Sequence, residues 1–390
     1  MKRILYLTFY FEPDLCAGSF RNSPLVIELA KQFKGEITVI TTVPNRYSTF
    51  QIDAPEYEER GNVKIHRILI PKHQSGFVDQ IKSFKTYYTQ ALSVAKKKKY
   101  DFVFASTSRL FTGYLGYKIA RKNHLPLYLD VRDIFTDTLE DVLKNKALKT
   151  LMLPLLRKIE NRTFNYASHI NLVSEGFKDY FDRYKNPTYS FYSNGIDNQF
   201  LDLPATTINN DIKIITYAGN IGEGQGLHKI VPQAASKLGN KYKFLIIGAG
   251  GQRQKLIETL DALKVTNVEV INPVKRNELL EIYLKSDFLF LHLNDYPAFK
   301  KVLPSKVFEL GAFDKPIIAG VAGYANEFIN KNIDNKILFS PNNVDDLIYQ
   351  LQAYKYKTNF RKNFIEKFKR NNIDKRLAAS IISIYNEKSH

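Results

Sequence analysis

The segment LPSKVFELGAFDKPIIAG, residues 303–320, carries three side chains whose types and spacing suit a nucleotide. Pro304-Ser305 reads as a helix start with Ser305 at the N-cap. Backbone N–H groups left open in a first turn, together with the positive end of the helix dipole, attract anions. Lys306 adds a full charge at that spot, and Glu309 lies one turn on, on the same face. A carboxylate so placed accepts two hydrogen bonds from a ribose diol while a diphosphate takes the helix end. A capped amphipathic helix with a solvated glutamate accounts for the same residues.

Two glycine-rich stretches accompany it. In YAGNIGEGQGLHKI, residues 217–230, a strand gives way to Gly219, Gly222, Gly224 and Gly226 before a helix. Such glycine density lets backbone approach a ligand, although a flexible loop explains it equally. In KFLIIGAGG, residues 243–251, a strand ends in Gly248, Gly250 and Gly251. That pattern suits either a phosphate contact or a plain tight turn. A dinucleotide site would need a third glycine where Arg253 stands and an acidic residue about 20 positions on, so the spacing argues against NAD.

The first half offers YLDVRD, residues 128–133. Asp133 is the preferred acceptor-side carboxylate, with Arg132 to hold it and Asp130 nearby. A structural Asp–Arg pair at a strand end is the competing reading. Nowhere does an Asp-x-Asp pair appear, and no His, Cys, Asp or Glu cluster has metal-ligand spacing, so no metal is expected. His169 and His292 sit in apolar strands and read as core or rim packing. Cys16, the single cysteine, reads as a small buried thiol with no partner base, excludes an internal disulfide framework and suits a reducing, cytoplasmic setting.

These residues need a scaffold. The 390-residue chain is 44% hydrophobic and 25% charged, which suits two globular domains. Strands are predicted at 3–9, 37–42, 63–68, 102–105, 127–131 and 169–173, and again at 212–218, 242–247, 268–271, 288–293, 316–319 and 337–339. Amphipathic helices at 23–33, 78–98, 227–238, 253–263, 275–284 and 305–312 alternate with them. This is the rhythm of two doubly wound parallel sheets, an α/β fold. The polar stretch 198–211, with Pro204, marks the linker. The expected division is 1–200, 201–370 and a closing helix in 371–390. The opening MKRILYLTFYFEPD reads as a first strand and not as a signal peptide, and no apolar run approaches the roughly 20 residues of a membrane span.

The net charge is +18, with 57 Lys and Arg against 39 Asp and Glu. Polyanions of several kinds fit, but no nucleic-acid-binding signature accompanies the charge, and nucleic acid is not expected as a partner. Lys96–Lys99 follow an aromatic helical stretch, and residues 144–164 mix Leu and Met with Lys and Arg. Both read as contacts to an anionic membrane face, or as solvated lysine faces.

Taken in order, FEPDLCAGSFRNSPLVIELA (9–30), YLDVRDIF (128–135), INLVSEG (170–176), SNGIDNQF (193–200), YAGNIGEGQGL (217–227), IIGAGGQR (246–253) and LPSKVFELGAFDKPIIAG (303–320) resemble the retaining GT-B glycosyltransferases of family-four type. Within that group the chain resembles the bacterial capsule and O-antigen transferases of the fucosamine-transferase-like branch. The resemblance implies two Rossmann-like domains facing across a cleft, with a C-terminal helix returning to the first. It implies a sugar moved from a nucleoside diphosphate sugar, UDP-linked by the commoner pattern, to a saccharide or lipid-diphosphate-linked acceptor in surface polysaccharide synthesis. By position, Glu309 would hold the ribose, and Ser305 and Lys306 the diphosphate, Lys306 in a catalytic role. Gly219, Asn220 and Gly222 would line the sugar-phosphate side, Val274 and Lys275 the base, and Gly18 the donor phosphate from the first domain.

Two departures accompany the match. Lys301 stands where many relatives carry the first of two glutamates. Asn220 and Gln225 stand where many carry an Arg and a Lys. Lys300, Lys301, Lys306 or Arg253 could supply the missing charge. With no cofactor expected and no metal pattern, fixed positive groups must stabilise the leaving diphosphate, so metal-independent transfer is expected. A nucleotide-sugar epimerase of the same fold and a non-catalytic sugar-nucleotide-binding subunit remain alternatives. The expected place is the cytoplasm, with peripheral attachment to the inner membrane face as an option.

Overall fold

The structure, a computed structural model, describes residues 1–45, 53–71, 77–107, 109–142, 146–204 and 210–388, with side chains left undescribed at 77–81 and 142. The chain forms two compact units, Met1–Asn194 with Arg370–His390, and Gly195–Lys369. The division falls at 194/195, ahead of the polar stretch in which the linker is expected, and part of that stretch, 205–209, lies outside the described residues. The same holds for Lys144 and Asn145 at the start of the basic stretch 144–164.

In the first unit the strands are β1 (Arg3–Leu7), β2 (Glu36–Thr42), β3 (Tyr57–Arg60), β4 (Val63–Ile68), β5 (Phe102–Thr107), β6 (Leu127–Val131), β7 (His169–Leu172) and β8 (Thr188–Ser190). They lie in the order β3-β4-β2-β1-β5-β6-β7-β8, and only the β3–β4 pair is antiparallel. Every residue of β2, β5, β6 and β7 is buried, as the apolar runs of a sheet covered on both faces require. Sequence patterning misses β3 and β8 for physical reasons. The Tyr-Glu-Glu-Arg of β3 is a largely exposed edge, and three residues are too few for β8 to show a period.

Helix Ala17–Gln32 follows β1 and starts earlier than its apolar pattern suggests, running through Pro24. Its Leu25, Val26 and Leu29 share a core with Leu377, Ala378, Ile381 and Tyr385 of the closing helix Arg370–Lys388. Late chain is thereby built into the first unit, as the expected closing helix requires.

Arg21 on helix Ala17–Gln32 runs inward to Asp130 on β6. Its Nε donates to Oδ2 and its Nη2 to Oδ1, both at 2.7 Å, with both side chains fully buried. Arg21 also donates to the carbonyls of Tyr192 and Ser193, and Asn171 Nδ2 donates to Asp130 at 2.8 Å. Burial alone would raise the Asp130 carboxyl, but Arg21 and Asn171 outweigh it and hold it below its ordinary value. Asp130 is thus a structural anchor joining β6, β7 and the first helix. It is not the site carboxylate its place in YLDVRD suggests.

The second unit has β9 (Lys213–Ala218), β10 (Tyr242–Ile247), β11 (Val268–Ile271), β12 (Phe288–His292), β13 (Ile317–Gly320) and β14 (Lys336–Phe339). Their order is β11-β10-β9-β12-β13-β14, parallel throughout. Ile230, Val231 and Ala234 of helix Leu227–Leu238 pack into one core with Phe244, Phe290 and Leu347. The winding reverses at β9, which lies between β10 and β12. Sheets of this kind bind ligands beyond the carboxyl ends of the strands at that reversal. The loop after β9 and the segment after β12 both emerge there.

Removing one member of a buried ion pair leaves the other charge uncompensated, a loss of about 3–5 kcal/mol. Arg21→Met should lower the unfolding free energy of the chain by that order in urea. A change within experimental error would show that the pair does not anchor the first unit.

Candidate functional site

The loop after β9 is built by close backbone approach. Gly219 N–H donates to the Ile247 carbonyl and Ile221 N–H to the Ala249 carbonyl, both at 2.9 Å. A methyl group on Gly248, at φ +150°, would stand 1.8 Å from the Gly219 carbonyl oxygen. Only glycine permits the loops after β9 and β10 to touch in this way. The glycines of KFLIIGAGG therefore serve a tight turn that shapes the neighbouring loop.

Residues at the end of β12 then clamp that loop. His292 Nδ1 donates to the Gln225 carbonyl at 2.6 Å, while its Nε2 accepts from Asn342 N–H at 3.1 Å. Both contacts fix the neutral ring, and burial pushes the imidazole down to about 4. Asn294 N–H donates to the Gly224 carbonyl at 2.8 Å, and Asn294 Nδ2 to the Glu223 carbonyl at 2.9 Å. Tyr296 donates to Glu223 Oε1 at 2.8 Å. Sequence reasoning places His292 in the core, which is right, but it does not show that the ring holds a loop. Asn220 Nδ2 donates to Gln225 Oε1 at 2.8 Å, and Gly222 N–H to the same oxygen at 3.3 Å. The neutral pair Asn220–Gln225 thus braces the turn.

Across from this loop stands the short helix Lys306–Gly311. Lys306 Nζ donates to Glu309 Oε1 at 2.7 Å, with both side chains partly exposed. It also lies 3.4 Å from the hydroxyl of Tyr283, a fully buried residue of helix Arg276–Lys285. Burial, reinforced by Glu309, holds the Tyr283 phenol well above its ordinary value, so it stays protonated and donates to Glu309. A methyl group on Gly219 would come within 3.0 Å of the Tyr217 hydroxyl and 3.6 Å of Lys306 Cε. Gly219, Lys306, Glu309, Tyr217 and Tyr283 therefore meet at one point. Neither tyrosine is foreseen from the sequence, where they simply fall inside the predicted strand 212–218 and helix 275–284.

The expected cap at Ser305 is corrected. Ser305 already has helical backbone angles, φ −57° and ψ −26°, and its side chain makes no capping bond. The turn tightens from Pro304 onward, with Val307 N–H and Phe308 N–H donating to the carbonyls of Pro304 and Ser305. A residue already inside the helix cannot turn its hydroxyl back onto the first-turn amides. Two amides of the expected anion site are thereby engaged, and Lys306 adds a full positive charge there.

The other second-unit candidates lie around this point. Arg253 opens helix Arg253–Ala262 and reaches the Val270 carbonyl at 3.4 Å, on the β11 side. Val274 is half-buried and Lys275 is exposed at the start of helix Arg276–Lys285. Lys300 pairs with Asp295 at 3.7 Å, and Lys301 is half-buried at the end of the turn Pro297–Lys301.

In the first unit, Gly18 packs where a methyl group would stand 2.9 Å from Tyr10 Cβ and 3.0 Å from Arg132 Nη1. Arg132 Nε and Nη1 have no hydrogen-bond partner, so the expected bond from Arg132 to Asp133 is not formed through these atoms. Asp133 lies beyond the end of β6 and is exposed along one edge. Loss of hydration on its protein side pushes the carboxyl up to about 6, against the pull of Arg132, and water at the open edge makes that a ceiling. His169 binds Thr188 and Ser190 at 2.7 and 2.9 Å, a structural link between β7 and β8. Cys16 is half-buried where a buried thiol is expected.

Residues 199–371 match the family described as glycosyl transferases group 1. WcaI of Escherichia coli (strain K12), which is named as a colanic acid biosynthesis glycosyl transferase, is 33% identical over 107 residues, 27% of this chain and 25% of that protein. The match thus spans about a quarter of that relative's length. Among solved structures, sucrose-phosphate synthase from Thermosynechococcus elongatus aligns over 100% of both chains at 13% identity, with a TM-score of 0.75. Anabaena HepE in complex with UDP-glucose aligns over 98% of this chain and 100% of that one at 16% identity, with a TM-score of 0.66. WaaG, a glycosyltransferase involved in lipopolysaccharide biosynthesis, aligns over 98% of each chain at 14% identity, with a TM-score of 0.64. Identities this low speak for the fold, which is GT-B.

A single hydrogen bond between a phenol and a partly exposed partner contributes about 1 kcal/mol. Tyr283→Phe, which keeps the ring and deletes the hydroxyl, should therefore lower unfolding stability by about that much in urea. An equal stability would mean that the phenol does not hold the Lys306–Glu309 pair.

Proposed function

We propose that this chain, whose second unit is a group 1 glycosyltransferase domain in a GT-B fold, moves a hexosyl or N-acetylhexosaminyl group from a UDP-linked donor. The acceptor is a saccharide or a lipid-diphosphate-linked saccharide of capsule or O-antigen synthesis. The observation that carries the reading is the Lys306–Glu309 pair beside Gly219, beyond the carboxyl ends of β9 and β12. The UDP assignment draws on the solved HepE complex, which holds UDP-glucose.

In this reading Lys306 leaves Glu309 and meets the diphosphate, together with the backbone of Ser305. The freed Glu309 carboxylate accepts the two ribose hydroxyls. A partly exposed ion pair is worth at most about 1 kcal/mol, so the exchange costs little. Gly219, Asn220 and Gly222 line the sugar-phosphate side, Val274 and Lys275 flank the base, and Arg253 and Lys301 add positive charge. The resemblance assigns Gly18 of the first unit to the donor phosphate, and Asp133 is the acceptor-side carboxylate of that unit. The bond from the anomeric carbon to the diphosphate breaks as the acceptor oxygen bonds to that carbon. The acceptor proton passes to a diphosphate oxygen on the same face, which keeps the configuration, or to Asp133. Lysine and amide groups meet the charge on the leaving group, so no divalent metal is needed.

The acceptor side favours a membrane surface. On the basic helix Lys146–Tyr166, Leu151 is 76% and Leu155 60% exposed, and they share its outer surface with exposed Arg157, Lys158 and Arg162. Apolar and cationic side chains so mixed suit the anionic inner leaflet. No helix among the described residues is long and apolar enough to cross a membrane.

The test is transfer from a panel of UDP-sugars to lipid-diphosphate saccharides. Turnover should persist in excess chelator, and complete loss restored by manganese would contradict the metal-free reading. Lys306→Gln and Glu309→Gln should each lower kcat/KM by about 10²- to 10³-fold. With Asp133 as the base, the rate rises with pH through a limb lying above the ordinary aspartate range and no higher than about 6, and Asp133→Asn abolishes that limb. Normal turnover in all three variants would remove the proposed site.

A further inference from the structure

A cavity of about 680 Å³ opens at the amino-terminal edge of the first sheet. Tyr100 and Leu125, which precede β5 and β6, line it, as do the ends of helices Phe77–Ala95 and Leu110–Lys122. Asp133 and Gly18 follow the opposite, carboxyl ends of their strands. The length of β6 alone, on the order of 16 Å, separates the two edges. A ligand here cannot occupy the candidate site described above.

Six lysines rim this cavity: Lys96, Lys97, Lys98, Lys99, Lys118 and Lys122. Lys98 pairs with Glu36 at 2.9 Å, and Glu36 is shared with Lys64 at 3.0 Å. The other five have no acidic partner within ion-pair distance among the described residues. Two helix carboxyl ends point here, and each is equivalent to about half a negative charge. Capping those ends accounts for one of the five lysines, so a surplus of roughly four positive charges remains. His66 registers the field, since burial and then Lys98 and Lys97 hold its imidazole below the ordinary value. The floor, with Leu92, Ile119 and Tyr100, is apolar. Low-dielectric walls lined by one sign of charge focus the field on whatever enters. Ammonium groups on flexible stems, each with three donors, suit phosphate oxygens.

We propose that this cavity binds anionic phosphate groups, held by Lys96, Lys97, Lys99, Lys118 and Lys122 over the apolar floor. The groups come either from a phospholipid headgroup or from a soluble oligophosphate, and one experiment separates the two.

Tripolyphosphate is titrated into the full chain by calorimetry at low salt, and vesicles of phosphatidylglycerol or phosphatidylcholine are sedimented with it. The variants are the fourfold Lys96→Gln, Lys99→Gln, Lys118→Gln, Lys122→Gln and the same four positions changed to Arg. Lys98 is left intact because it binds Glu36. The Gln variant should weaken tripolyphosphate binding at least about tenfold, and the Arg variant should retain it, which separates lost charge from lost folding. Lys306→Gln should leave this binding in place, so the outcome does not depend on the proposed donor site. Vesicle binding that needs phosphatidylglycerol and the four lysines assigns the phosphate to a bilayer. Tripolyphosphate binding without vesicle binding assigns it to a soluble anion. Equal affinity of wild type and Gln variant, or no binding by wild type in either arm, overturns the proposal.

Discussion

Lys306 and Glu309 neutralise each other beside Gly219, and the buried hydroxyl of Tyr283 touches both. Much of the second unit can be understood from that contact. The short helix following β12 carries the pair, helix Arg276–Lys285 brings the phenol, and β9 ends so that backbone without a side chain passes alongside. A charge pair in this setting is close to balanced. It holds a lysine and a carboxylate in fixed directions, yet remains exposed enough for a stronger anion and a hydrogen-bonding diol to divide them.

The loop opposite the pair is rigid for a different reason. His292, Asn294 and Asn342 satisfy its carbonyls from one side, and the turn after β10 presses on it from the other. A glycine-rich stretch is costly to order, and every residue fixed in advance removes part of that cost from ligand binding. The neutral Asn220–Gln225 bond belongs to the same bracing. It is a neutral pair, so the positive charge beside the loop comes from lysines, Lys306 next to Gly219 and Lys229 paired with Glu223 at 3.5 Å.

The sheets were legible in the sequence because fully buried parallel strands such as β6 and β12 are apolar runs, while half-buried ones such as β4 and β11 alternate apolar with polar residues, and both patterns mark their own ends. The edge strand β3 was not, since a charged, exposed strand carries no such run. At the site, the contact of Lys306 with Glu309 was implicit in their spacing of one turn. The cap at Ser305 was misread because the helix is entered from Pro304 already wound, a fact about backbone angles that residue types do not record. Asp130 and Asp133 look alike in YLDVRD. Only the long-range partner Arg21, 109 positions away, shows that the first is an anchor. Tyr283 and His292 act through contacts far apart in sequence, which no local pattern reports.

The most direct test is a crystal structure of the chain with UDP bound. The account predicts the diphosphate beyond β9 and β12, with Lys306 Nζ moved from Glu309 to a phosphate oxygen and both Glu309 oxygens on the ribose hydroxyls. UDP bound elsewhere, with the Lys306–Glu309 pair still closed, would contradict it.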